Sequence, residues 1–154
     1  MSNAWERSWQ WRYDSIALES GLKDSRPDCG QGFGDGVLLG YDSGEFGGQI
    51  DYVVDGKVVK EFRPGSVLGF YRMPFGVVVV ASWWGSHECM LYVLRPGPDG
   101  VPTCGPFKRL PIAPYPNNHP RIVPISRCWN GDLMVSGGGG DVILTRSGHL
   151  RLAD

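Results

Sequence analysis

Short apolar runs separated by glycine-containing turns occur three times along the chain in the same order. In the clearest copy, an apolar run at 37–41 is followed by a glycine-rich stretch, a run at 49–54, the pair Asp55-Gly56 and a run at 57–62. The runs are short and rich in β-branched residues, as strands are, and Asp-Gly is a pair that tight hairpin turns favour. The pattern therefore predicts three consecutive strands joined by hairpins.

Two further copies follow the first. The second places strands at 77–82, 89–94 and 107–110, and the third places them at 133–136, 141–145 and 149–152. One more strand is predicted ahead of each trio, at 15–18, 66–71 and 121–126. Four short strands per unit predict an all-β chain of three antiparallel meander units with a propeller-like arrangement. A β-sandwich is the alternative, because all hairpins use the same turn residues.

Composition supports one domain with many turns. The chain has 154 residues, enough for one sizeable core, and its 23 glycines and 12 prolines recur between the apolar runs. We assign residues 5–154 to a single all-β domain. Residues 1–4 have the character of a vector-derived segment, because Ser2-Asn3-Ala4 resembles a cloning scar. A scar there would be compatible with an export signal having been removed.

The charge balance excludes some classes of partner. Fifteen basic and sixteen acidic residues give a formal charge of −1, so no net field attracts nucleic acid or an anionic membrane. No apolar run approaches the roughly 20 residues of a membrane span. The charged residues Glu6 and Arg7 interrupt the region where a signal peptide needs an apolar stretch. A cytoplasmic location is expected, provided that the native N-terminus is present.

Cysteines and histidines do not predict a metal site or a cofactor. The four cysteines are widely and irregularly spaced, which favours free thiols, and two disulfides become the better interpretation only for an exported protein. His87, Glu88 and Cys89 are consecutive, and neighbours on a strand point to opposite faces, so they do not converge on one ion. We expect neither a metal nor a cofactor.

One segment carries a resemblance. The stretch Gly40-Tyr41-Asp42-Ser43-Gly44-Glu45-Phe46-Gly47-Gly48, with the later Asp55-Gly56, resembles the GEFGG hairpin of poorly characterised bacterial propeller-like proteins, some of which are found near toxin and immunity genes. About thirty residues are covered well, and the other two units lack the full motif. The resemblance implies a propeller-like fold and, through that gene neighbourhood, an immunity-type function.

Closed propellers have 4–8 blades, so three units are too few to close. An open arc of three units leaves the edges of its end sheets exposed. A homodimer with twofold symmetry would pair two halves into six units, and we expect this arrangement. The rival is a monomer whose open end is capped by Trp5, Trp9 and Trp11.

Sequence motifs favour binding over catalysis. The chain has no Gly-x-Ser-x-Gly elbow and no His-Glu-x-x-His helix, and its run of four glycines at 137–140 lacks the Lys-Ser/Thr of a phosphate loop. A non-enzymatic protein-binding module, of an immunity type that neutralises a toxin, is therefore preferred. The alternatives are a small hydrolase or lyase using Glu45, Asp42 and His87, and a carbohydrate-binding module that stacks sugars on tryptophan.

Six residues are predicted to contact the protein partner. Tryptophan and tyrosine are favoured at binding hot spots, and at Trp83-Trp84 one indole of the pair is expected to face outward. Asp42 and Glu45 lie in or beside a glycine-bounded turn, which can fix the backbone while a carboxylate points outward. Residues 115–119 are rich in turn-forming residue types and are expected to form an exposed loop. The predicted contact residues are Trp83, Trp84, Glu45, Asp42, Tyr115 and His119.

Overall fold

All the regular elements in the described part of the chain are β-strands. The computed structural model describes residues 27–42, 47–83, 88–110, 125–137 and 140–153. Sheet 1 consists of β1 (Cys29–Phe33), β2 (Gly36–Asp42), β3 (Gly48–Val54) and β4 (Lys57–Phe62). Sheet 2 consists of β5 (Ser66–Met73), β6 (Gly76–Trp83), β7 (Glu88–Pro96) and β8 (Pro102–Arg109). Sheet 3 consists of β9 (Ile125–Arg127), β10 (Leu133–Gly137), β11 (Gly140–Leu144) and β12 (Leu150–Leu152).

The predicted fold class is confirmed. Each sheet is a four-stranded antiparallel meander whose strands pair in chain order, and the three sheets follow one another along the sequence. Their arrangement is compatible with both the propeller-like and the sandwich-like packing. The described residues include no helix of the length and hydropathy that a membrane span requires.

Strand positions differ from the sequence prediction mainly in sheet 1. The first strand of this sheet is Cys29–Phe33, which pairs with β2, whereas the strand predicted at 15–18 lies outside the described residues. Cys29–Phe33 contains two glycines, and glycine is normally depleted in strands. Strand β8 also begins earlier than predicted, at Pro102. At the start of sheet 3, residues 121–124 of the predicted strand lie outside the described part, and β9 covers Ile125–Arg127.

The Asp55-Gly56 hairpin has the predicted turn geometry. Both residues have positive φ, 51° for Asp55 and 79° for Gly56, as the two central residues of a type I′ turn require. Lys57 pairs with Val54 directly after the turn, so the twist of the turn matches that of β3 and β4.

Sheet 2 lies between the other two sheets. Its strand β6 carries four consecutive valines at 77–80, all at most 4% exposed. Val77 and Val79 pack with Leu38 and Ile50 of sheet 1. The other two valines of the run, Val78 and Val80, pack on the opposite face in a cluster that includes Leu133, Val135, Val142 and Leu144 of sheet 3. A continuous valine run is typical of a strand that is buried on both faces.

Two arginines make the same contact between successive sheets. Arg72 in β5 donates from Nη2 to the carbonyl oxygen of Gly32 in β1 at 3.1 Å. Arg127 at the end of β9 donates from Nη2 to the carbonyl oxygen of Arg72 at 2.9 Å. The C-terminal ends of β1, β5 and β9 therefore lie side by side. We call this the short-turn end, since β1–β2 and β5–β6 are joined there by two residues each. The opposite end, where β2, β6 and β10 finish, is the loop end.

The face of sheet 1 that points away from sheet 2 is also buried. Val37, Leu39 and Val53 are at most 3% exposed and form a cluster with the half-buried Tyr41 and Val58. The register places Val37 opposite Val53, which brings the apolar side chains of β2 and β3 together on this outer face. Sheet 1 is therefore covered on both sides.

Candidate functional site

Two of the predicted contact residues lie at the loop end of adjacent sheets. Asp42 is the last residue of β2 in sheet 1, and Trp83 is the last residue of β6 in sheet 2. The side chain of Trp83 is not among those described. The other four predicted contact residues lie outside the described part of the chain: Glu45, Trp84, Tyr115 and His119. Chain connectivity links Glu45 to the end of β2 and Trp84 to the end of β6.

Two acidic residues lie together at the loop end of sheet 1. The backbone N–H of Asp42 donates to Oδ2 of Asp28 at 2.6 Å, which brings two acidic residues together at this end. Cys29 lies beside them at the start of β1. The pKa of the Cys29 thiol is raised to about 12. Burial is the main cause, and the carboxylates of Asp28 and Asp42 contribute to the increase.

A buried hydroxyl with no partner among the described residues lies below the loop end of sheet 2. Ser82, one residue before Trp83, is fully buried, and its Oγ has no hydrogen-bond partner among the described residues. A buried hydroxyl without a partner costs about 1–3 kcal/mol. Where a folded protein keeps a buried polar group without a hydrogen bond, the position is often a functional or a strained one.

Burial lowers the reactivity of three of the four cysteine thiols, Cys29, Cys89 and Cys104. Each of the four cysteines is a free thiol, as the sequence favoured. Burial raises the pKa of Cys89 to about 11, and that of Cys104 to about 11. Thiolates, and not thiols, are the nucleophiles of cysteine chemistry. Cys29, Cys89 and Cys104 are therefore poor nucleophiles at neutral pH.

These thiols are expected to resist alkylation while the chain is folded. At pH 8, a thiol with a pKa of about 11 is ionised roughly 100-fold less than one at the ordinary value of 9.0. Iodoacetamide labelling with peptide mass spectrometry should show Cys29, Cys89 and Cys104 reacting at least about 100-fold more slowly in the folded chain than in urea. Equal rates in the two conditions at any of the three would contradict the burial described above.

Asp51 is a buried carboxyl group on the outer face of sheet 1. It lies opposite Leu39 in β2 and opposite Glu61 in β4, and it is 2% exposed. Its Oδ1 accepts a hydrogen bond from Nε2 of Gln49 at 2.7 Å, and the side chain of Tyr41 also bonds to it. Burial raises the pKa of Asp51 to about 6, and Glu61 adds to the increase. The group is out of reach of a substrate, so its role is in the sheet itself.

Asp51 predicts a specific dependence of stability on pH. The folded chain holds this proton up to about pH 6, whereas the unfolded chain releases it near 3.8. The protonated Asp51 carboxyl therefore contributes its full stabilisation below about pH 4, and this contribution is lost as the pH rises through about 6. The loss lowers the free energy of unfolding by roughly 2–3 kcal/mol. Urea unfolding at several pH values should show that Asp51→Asn lacks this decrease, while the exposed control Asp55→Asn retains it. A constant difference between wild type and Asp51→Asn across pH 4 to 7 would refute this assignment.

Most residues of the enzyme alternative lie outside the described part of the chain. Of Glu45, Asp42 and His87, only Asp42 lies within the described residues. Among the described residues, no group of three or more histidine, cysteine or acidic side chains is placed to hold a metal ion. Within the described ranges, no specific contact favours the catalytic alternative or the carbohydrate alternative.

Sequence reasoning missed features of the short-turn end. A cleft of about 500 Å³ opens there between the turns of sheets 1 and 2, and Arg72 and Arg95 are among the residues that line it. Trp129, in the β9–β10 turn, is 99% exposed. Trp129 was not among the predicted contact residues, although tryptophan is a residue type that binding hot spots favour. The cleft had no sequence signal, because its walls come from turns about 40 residues apart.

No protein family, curated protein or solved structure matches the chain.

Proposed function

We propose that this protein is a non-enzymatic binding module that contacts a protein partner through its loop end. The observation that carries the proposal is the position of Asp42 and Trp83, which end the second strands of two packed sheets at the same end. Hairpin loops on a rigid sheet scaffold are common places for binding residues. The loops that follow these strands contain Glu45 and Trp84, so a partner at this end meets residues from both sheets.

The charge of the loop end suggests the chemistry of the partner surface. Asp28 and Asp42 lie together at the end of sheet 1, and Glu45 follows in the adjacent loop. A basic surface is the complementary partner for such a group, and aromatic side chains at its centre supply the apolar contact. Complementary charge of this kind mainly increases the association rate and makes it sensitive to salt.

More specifically, we propose that the binding module has an immunity-type function. It is supported by the resemblance of residues 44–48 to the GEFGG hairpin of bacterial propeller-like proteins found near toxin and immunity genes. An inhibitor of a basic toxin needs an acidic, aromatic contact surface, and the loop end contains residues of both kinds. The partner is then a toxin whose activity is blocked by the bound chain.

The binding proposal is tested with variants at the two ends of the sheets. A partner isolated with the purified chain should bind Asp42→Asn and Trp84→Ala at least about tenfold more weakly than wild type in biolayer interferometry. Matched controls at the short-turn end are Asp55→Asn and Trp129→Ala, which should change the dissociation constant less than about twofold. Losses confined to the short-turn variants would overturn the assignment of the surface.

The immunity part has a separate test. Cells that produce the isolated partner alone should grow poorly, and cells that also produce the wild-type chain should recover. Trp84→Ala should restore growth less well than Trp129→Ala does. A partner that leaves growth unaffected would refute the toxin proposal while leaving the binding proposal in place.

A further inference from the structure

The short-turn end contains a cleft that is separate from the loop end. Its volume is about 500 Å³, within the roughly 300–1,000 Å³ of sites for small molecules. One wall is the β1–β2 turn with Phe33 and Gly34, and the other is the β5–β6 turn with Pro74 and Phe75. The cleft lies between the ends of two packed sheets, and every residue that lines it belongs to the described part of the chain.

The lining combines apolar surface with positive charge. Phe33, Met73, Phe75 and other apolar residues form most of the lining, and the charged lining residues are Arg72 and Arg95. None of the lining residues is acidic. An apolar cleft with a few convergent polar groups is the usual form of a ligand site.

Both arginines are held in place by the turns that form the walls. Arg72 donates from Nη2 to Gly32 O at 3.1 Å, and Arg95 donates from Nε to Phe75 O at 3.1 Å. Each of these bonds uses one of the five N–H donors of a guanidinium group. A guanidinium fixed through one donor loses less side-chain entropy when its other donors bind an anion.

A third guanidinium increases the positive charge beside the cleft. Arg127 donates from Nη2 to Arg72 O at 2.9 Å and approaches Sδ of Met73 from Nη1 at 3.7 Å. Arg72 and Met73 both line the cleft, so Arg127 lies against two lining residues without lining the cleft itself. Arginine is favoured where planar carboxylate or phosphate groups are recognised.

We propose that this cleft binds a small organic anion with an aromatic or apolar body and a carboxylate or phosphate group. The apolar body packs between the β1–β2 and β5–β6 turns, and the anionic group contacts Arg72 and Arg95. This site is independent of the proposed protein-binding surface, because it is formed at the opposite end of the sheets.

The probes for the test are phenyl phosphate and benzoate, which share an aromatic body and differ in their anionic group. In two-dimensional amide NMR, titration to about 10 mM should shift resonances of the turns at 33–34 and 74–76, with saturation in the millimolar range. Whichever probe binds more tightly identifies the preferred anionic group. Benzyl alcohol is the uncharged control and should bind at least about tenfold more weakly.

Variants distinguish a ligand site from arginines that only link the sheets. Arg95→Gln and Arg72→Gln should each weaken binding of the tighter probe at least about tenfold, whereas Arg151→Gln, an exposed position in β12, should leave it unchanged. Thermal unfolding without a probe reports any structural effect, and Arg95→Gln decides the question if Arg72→Gln does not fold. Absence of shifts with both probes, or unchanged binding by folded Arg95→Gln, would overturn the proposal.

Discussion

Replacing either Leu38 or Leu39 with alanine is expected to lower the free energy of unfolding by about 2–5 kcal/mol. The two residues are adjacent in β2, point to opposite faces of sheet 1, and are both 0% exposed. Leu38 packs in the core between sheets 1 and 2, and Leu39 packs in the cluster on the outer face. Each truncation removes buried apolar surface and leaves a cavity, so both should be costly.

Equal costs at these neighbouring positions would show that sheet 1 is buried on both faces. Urea unfolding followed by tryptophan fluorescence measures both variants, with Val59→Ala as the control, because Val59 is 48% exposed on β4. The control should change stability by less than about 0.5 kcal/mol. If Leu39→Ala behaved like the control while Leu38→Ala did not, the outer face would be open to solvent and its described burial would be wrong.

Gly48→Ala is expected to destabilise the chain by about 3 kcal/mol or more. Gly48 begins β3, and a Cβ atom there would overlap the carbonyl oxygen of Tyr41 and lie 2.7 Å from that of Gly65. Neither carbonyl is the end of a flexible side chain, so relief requires movement of the backbone. That movement disturbs the pairing of Gly48 with Asp42 and the bond from Ser66 Oγ to Gly47 O at 2.8 Å, which links sheets 1 and 2.

Glycines in open positions provide the matched controls for this substitution. A Cβ atom at Gly32 in β1 or at Gly105 in β8 meets no atom within 4 Å. Gly32→Ala and Gly105→Ala should therefore change the free energy of unfolding by less than about 1 kcal/mol, because only the entropy of the unfolded chain changes. Chemical unfolding of the three variants gives the comparison. A Gly48→Ala chain as stable as Gly32→Ala would show that β3 does not approach β2 and the start of β5 as described.

Local pattern was sufficient to predict most strands. The valine run of β6 and the Asp55-Gly56 turn are strong signals because burial on both faces and a positive φ each require particular residue types. Strand β1 was missed because its sequence, CGQGF, looks like a turn. It is stabilised instead by pairing with β2 along its full length, and long-range pairing is not visible in local propensity.

The candidate site was less predictable than the fold. Asp51 had a sequence signal, since a charged residue between Ile50 and Tyr52 interrupts an apolar strand, but its burial depends on packing across sheet 1. The contacts of Arg72 and Arg127 depend on how three sheets are placed side by side. Such contacts join residues far apart in the chain, and no spacing rule relates them.

Hydrogen exchange of the chain with and without its isolated protein partner tests the central claim most directly. Binding at the loop end should slow amide exchange in peptides that contain the end of β2 with the start of β3, and the end of β6 with the start of β7. Peptides that cover the Asp55-Gly56 and 128–132 turns at the short-turn end should exchange at unchanged rates. Protection confined to those short turns, with none at the ends of β2 and β6, would contradict the proposal that the partner binds at the loop end.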